Sequence, residues 1–139
     1  MAHPPRYRDD DPLLARVREI ALSLPGADEK ISHGRPTFFT RKVFAIFGGV
    51  VKGDHQSRAL GRALVFLPDP GERPALLADG RFVVPGYEGA YGWLALDLVD
   101  LRDWSEVAEL VESSYRITAP PRLVAELAVG RPTTDPKSP

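Results

Sequence analysis

Between Arg81 and Leu98 the sequence packs a short apolar run (Phe82, Val83, Val84), a Pro85-Gly86 turn, a glycine-spaced aromatic stretch (Tyr87, Tyr91, Trp93) and the alternating run Trp-Leu-Ala-Leu-Asp-Leu. Strand, turn, loop and strand in so short a span leave no place for a long helix, so this part of the chain has to belong to a sheet. The rest of the composition points the same way. With 14 prolines and 12 glycines among 139 residues, the chain is punctuated into many short elements, and a bundle of long helices is excluded. One domain of this length buries roughly 70% of its unfolded surface, which is enough for a core without staples. That domain is expected over 11–129, between a disordered amino terminus (1–10) and a flexible tail (130–139) rich in proline and small polar residues.

Asp10 or Asp11 with Pro12 marks the start of a first helix, because a carboxylate accepts the orphan amide protons and proline has no amide to waste. Leu13, Leu14, Val17, Ile20, Ala21 and Leu24 follow at helical spacing until Pro25-Gly26. A polar loop then leads to Thr37–Thr40 and Val43–Phe47, two aromatic and β-branched runs separated by Arg41-Lys42, the pattern of a tight hairpin with a basic tip. Gly48–Val51 extends the second strand, and 52–61 reads as a mobile loop before a strand at Ala63–Leu67. A short helix through Ala75–Ala78 and the strands of the 81–98 stretch come next. Asp103-Trp-Ser-Glu106 reads as a reciprocal capping box for a helix whose inward stripe is Val107, Leu110, Val111 and Tyr115. Beyond Pro120-Pro121, Leu123, Val124 and Leu127 predict a last short helix. Strands in a run with helices at both ends argue for an α+β fold, a twisted antiparallel sheet flanked by N-terminal and C-terminal helices.

Several chemistries are excluded. Cysteine is absent, so there is no disulfide, thiolate nucleophile or cysteine-bound metal. Neither internal histidine, His33 or His55, has the spacing of a metal set, no serine sits in a nucleophile elbow, and the glycines match no phosphate-loop pattern. No catalytic residue, metal or cofactor is therefore expected. With neither a membrane-length apolar run nor the apolar centre of a signal peptide, a cytoplasmic location and no membrane partner are expected, and the protein is taken to be a monomer. Charge is unevenly spread. Lys30 to Arg62 holds seven basic residues against Asp54 alone, whereas 63–115 holds ten acids against Arg73, Arg81 and Arg102. Such polarity steers an anionic partner to one face.

His33-Gly-Arg-Pro36, Pro85-Gly-Tyr87, Gly92-Trp-Leu94 and Ser114-Tyr115 leading to Ala119-Pro120, taken in this order and spacing, resemble the MmcQ/YjbR family in its actinobacterial branch, over roughly 12–127. The resemblance implies a frataxin- or CyaY-like fold and mostly unassigned activity. It also brings a DNA-binding label, by analogy with double-wing proteins whose hairpins straddle a duplex. Frataxin-type iron binding does not carry over, since the first helix has Glu19 alone past its cap, beside Arg16 and Arg18.

Two functional readings follow. In the first, a non-enzymatic module binds double-stranded DNA weakly and salt-dependently, with Arg35, Arg41, Lys42, Lys52, Arg58 and Arg62 on phosphates. A sequence pI of about 6.3 weighs against a dedicated nucleic-acid domain. In the second, a small molecule or a protein occupies a cleft lined by His33, Tyr87, Tyr91 and Trp93, beside Arg35.

Overall fold

The computed structural model describes residues 5–130; of the ends expected to fray, 1–10 and 130–139, residues 1–4 and 131–139 lie outside the described residues. The order is α1 (Pro12–Leu22), β1 (Asp28–Ser32), β2 (Arg35–Phe39), β3 (Val43–Phe47), β4 (Ala63–Phe66), α2 (Arg73–Ala78), β5 (Phe82–Val83), a 3-10 turn at Tyr87–Tyr91, β6 (Leu94–Asp97), α3 (Trp104–Thr118) and α4 (Pro121–Gly130). The strands form one antiparallel sheet in the order β1-β2-β3-β4-β6-β5. The fold is α+β, as the run of strands between helices predicts.

β1 lies inside the stretch expected to be a polar loop. Asp-Glu-Lys-Ile-Ser carries no apolar alternation because it is an edge strand, wet on both faces, and it is held by pairing to β2 rather than by burial. The link between them is a two-residue turn. His33 (φ 53) and Gly34 (φ 81) both adopt the left-handed conformation that matches the twist of a hairpin. The β2–β3 hairpin forms as predicted, with Arg41 and Lys42 exposed at its tip. Gly48–Val51 does not continue β3. Instead Gly48 N–H donates to Ala63 O (2.7 Å) and Gly49 N–H to Leu60 O (2.8 Å), which folds the chain back over the sheet.

The two faces of the sheet are covered differently. Phe38, Ala45, Phe47, Leu64, Phe66, Leu94 and Leu96 point to the helix layer, where Leu14, Val17 and Ala21 of α1 and Val107, Val111 and Tyr115 of α3 are buried. Ser114 and Tyr115 lock α3 to the rest. Ser114 Oγ donates to Phe44 O (2.6 Å) and accepts Leu67 N–H (3.0 Å), while Tyr115 OH donates to Pro25 O (2.6 Å). The opposite face, with Ala63, Val65 and Ala95, is covered by Leu60, Val51 and Trp93. α1 and α3 start where their caps predict, on Asp11 and Asp103. The reciprocal half of the second cap is not made, because the Glu106 carboxylate turns outward to Arg81 (2.9 Å). A guanidinium that also pairs with Asp79 takes that carboxylate with two donors, which competes better than a single backbone amide does.

Candidate functional site

Where the start of β2 meets the 48–62 loop, the fold leaves a cleft of about 1030 Å³. One wall is the amino-terminal segment, with Arg6, Tyr7 and Arg8, tied to the β1–β2 turn by Arg6 N–H donating to Gly34 O (2.9 Å). The second is Arg35. The third is the loop, with His55, Gln56, Ser57 and Arg58, and Arg62 closes the base. The loop, expected to be mobile, is a succession of turns: Asp54 N–H donates to Val51 O, Ser57 N–H to Asp54 O and Gly61 N–H to Arg58 O.

The cations of the cleft are not equivalent. Arg62 is committed, with Nε donating to Asp11 Oδ2 (2.8 Å) and Nη2 to Asp11 Oδ1 (2.7 Å), while Asp11 also accepts the Leu13 amide (2.9 Å). Those bonds, that from Arg62 first, hold the Asp11 carboxyl below its ordinary range. Arg8 pairs with Asp10 at 3.1 Å, both exposed. Arg6 and Arg58 have no side-chain partner among the described residues. Arg35 differs from all of these. Its guanidinium lies against Gly48 (φ 100), where only a missing side chain makes room, and its buried Nη1 finds no acceptor among the described residues. Burial, and then the charge of Arg6, hold Arg35 below the ordinary arginine range, with Glu88 acting in the opposite direction. The cleft thus gathers three uncommitted guanidiniums, one of them partly desolvated, an arrangement suited to a multivalent anion.

On the rim, Tyr87 OH and His55 Nδ1 are 3.2 Å apart, with ring centroids 4.9 Å apart. Tyr87 sits at φ 58, a backbone region costly for a bulky side chain, at the start of a segment tied to the loop by Gly86 N–H donating to Val50 O (2.8 Å).

Of the basic residues read from the sequence, Arg35, Arg58 and Arg62 line this cleft, and Lys52 is exposed on the loop without lining it. Arg41 and Lys42 sit at the far end of β2, about 20 Å from Arg35 at a strand rise of roughly 3.3 Å per residue. His33, Tyr87, Tyr91 and Trp93 are not gathered around one cavity. His33 occupies the β1–β2 turn, Tyr91 is 81% exposed, Trp93 is half-buried on the second sheet face, and only Tyr87 reaches the cleft, through His55. Sequence reasoning missed Arg6 and His55 as cleft residues. Nothing local marks them, since Arg6 stands in a segment with the composition of a frayed end and His55 in a polar loop.

Among the described residues no group of three or more His, Asp or Glu side chains is placed to hold a metal ion, and no helix is long and apolar enough to cross a membrane. A family model described as YjbR matches residues 22–117. The fold is similar to the crystal structure of Deinococcus radiodurans protein DR2400, described as a DUF419 domain, with a TM-score of 0.60 at 16% identity over 83% of this chain and 87% of that one. No curated protein matches the chain.

Proposed function

The chain belongs to the YjbR family, and we propose that it is a binding module without catalytic chemistry, whose ligand is anionic and enters the cleft beside Arg35. The observation that carries this reading is the half-buried Arg35 side chain, which lines the cleft with no ion pair among the described residues. Nη1 itself is packed against Gly48, but the rest of the side chain lines the cleft, and a partly desolvated cation with no paired carboxylate attracts an anion more strongly than a solvated one does. Arg6 and Arg58 add uncommitted positive charge, while Ser57 Oγ accepts the Ala59 amide (3.2 Å) and so serves a turn rather than a reaction. The test is calorimetric titration with inorganic phosphate and pyrophosphate at low salt. Arg35→Gln and Arg58→Gln should each weaken pyrophosphate binding by about tenfold, the scale of one charge-assisted hydrogen bond. Equal affinity in wild type and both variants would remove the cleft from consideration.

A second reading is favoured by Arg41 and Lys42, which are exposed and without a side-chain ion pair among the described residues. Here the β2–β3 hairpin is a wing on double-stranded DNA, with Lys52 adding charge, and binding is weak and falls steeply with salt. Anisotropy of a labelled random duplex at low and near-physiological salt tests it. Arg41→Glu with Lys42→Glu should abolish the signal, and an unchanged titration sinks the wing. In both readings the protein is a monomer in the cytoplasm, a placement that rests on sequence alone.

A further inference from the structure

We infer that the ligand of the arginine cleft is a phosphomonoester carrying a flat ring, a mononucleotide being the simplest case, with its phosphate against Arg35 and Arg58 and its ring on the His55–Tyr87 rim. The inference rests on the anion reading of the cleft and adds the chemistry of the rest of the ligand.

Size is the first argument. A space of about 1030 Å³ is that of an organic ligand, far more than a free oxyanion fills. Its lining is also mixed, since the exposed Pro5 and Pro12 contribute apolar surface that inorganic phosphate would leave unused. The rim is the second argument. Tyr87 is 65% exposed and His55 is exposed, yet the two rings are held together by a hydrogen bond and by a tyrosine backbone kept at φ 58. Backbone strain of this kind is found where a side chain is fixed for a ligand, and two aromatic faces presented to water form a stacking platform for a flat ring. Because Tyr87 occupies Nδ1, His55 keeps Nε2 for the ligand, and Gln56, also lining the cleft, offers an amide donor and acceptor to a ring edge.

The experiment compares adenosine 5′-monophosphate, ribose 5-phosphate and adenosine by calorimetry on wild type, His55→Ala, Tyr87→Ala and Arg35→Gln, with circular dichroism confirming that each variant folds. The monophosphate should bind at least about tenfold tighter than ribose 5-phosphate, the scale of one base stacked on one aromatic face. His55→Ala and Tyr87→Ala should bring it down to the ribose 5-phosphate value without changing that value, and Arg35→Gln should weaken both phosphates. If the two phosphates bind equally, or if the rim variants leave the monophosphate unaffected, the ring is not recognised and this inference fails while the anion cleft stands. If neither phosphate binds, both fail together.

Discussion

Replacing Arg35 by methionine should make the protein more stable and unable to bind anions. Methionine keeps an unbranched stem of similar reach and fills the space over Gly48 without a polar head. The substitution removes a buried Nη1 that has no acceptor and a positive charge repelled by Arg6. Leaving such a donor unpaired costs about 1–3 kcal/mol, and because the rest of the side chain is only half-buried, the recoverable part is nearer 1–2 kcal/mol. For a chain of this size that corresponds to a rise in Tm of about 3–8 °C. Differential scanning calorimetry with and without pyrophosphate reads both effects at once. Wild type should gain Tm with pyrophosphate, whereas Arg35→Met should start higher and gain nothing. A variant that loses more than about 1 kcal/mol would mean that Arg35 holds the β1–β2 turn and the 48–62 loop together, and the case for a site strained in favour of a ligand would be wrong.

Other outcomes follow from single contacts. Ser114→Ala should cost about 2–4 kcal/mol in urea unfolding, because it strands the Leu67 amide and deprives Phe44 O of its 2.6 Å donor inside the core; a loss under 1 kcal/mol would mean that water replaces the hydroxyl. Asp11→Asn keeps the cap but loses the charge facing Arg62, at about 1 kcal/mol near neutral pH. Since the folded carboxyl titrates below its ordinary value, its contribution is full above about pH 4 and disappears as pH falls through the lowered value. The stability gap between Asp11→Asn and wild type should therefore close on acidification, and a gap that persists at pH 2 would show that the charge was not its source. Gly48→Ala should displace the Arg35 guanidinium and meet Gly61 O at 2.9 Å, so pyrophosphate binding should drop without any cleft arginine being touched; unaltered binding would mean that Arg35 acts from another rotamer.

Most of the fold was legible because its signals are local. Asp11-Pro12 capped a helix as the chemistry of orphan amides requires, Arg41-Lys42 broke two apolar runs into a hairpin, and Pro120-Pro121 separated α3 from α4. What stayed hidden depends on tertiary pairing. β1 has no pattern of its own because an edge strand borrows its order from its neighbour, and Glu106 left its capping box because Arg81 arrives from the turn before β5, 25 residues earlier in the chain. The site was legible only as a surplus of charge. In sequence Arg35, Arg58 and Arg62 are three equal cations. In the fold one is cancelled by Asp11, one is exposed, and one is pressed against Gly48 without an acceptor.

That sorting also makes the two functional readings physically separable. β2 is a rigid spacer whose first residue, Arg35, stands in the cleft and whose far end carries Arg41 and Lys42, roughly 20 Å away. That separation exceeds the Debye length of about 8 Å at physiological salt, so the two groups of cations scarcely feel one another there. A mutation at the tip cannot weaken a small anion held by Arg35, and Arg35→Gln, which removes a buried charge, subtracts little from the field a duplex meets at the tip. Loss of pyrophosphate binding with intact DNA binding in Arg35→Gln, and the reverse in the tip variant, would give the chain two independent sites. If one variant abolished both, a single continuous surface would have to run along the exposed face of the sheet, and the separation argued from the length of β2 would be refuted.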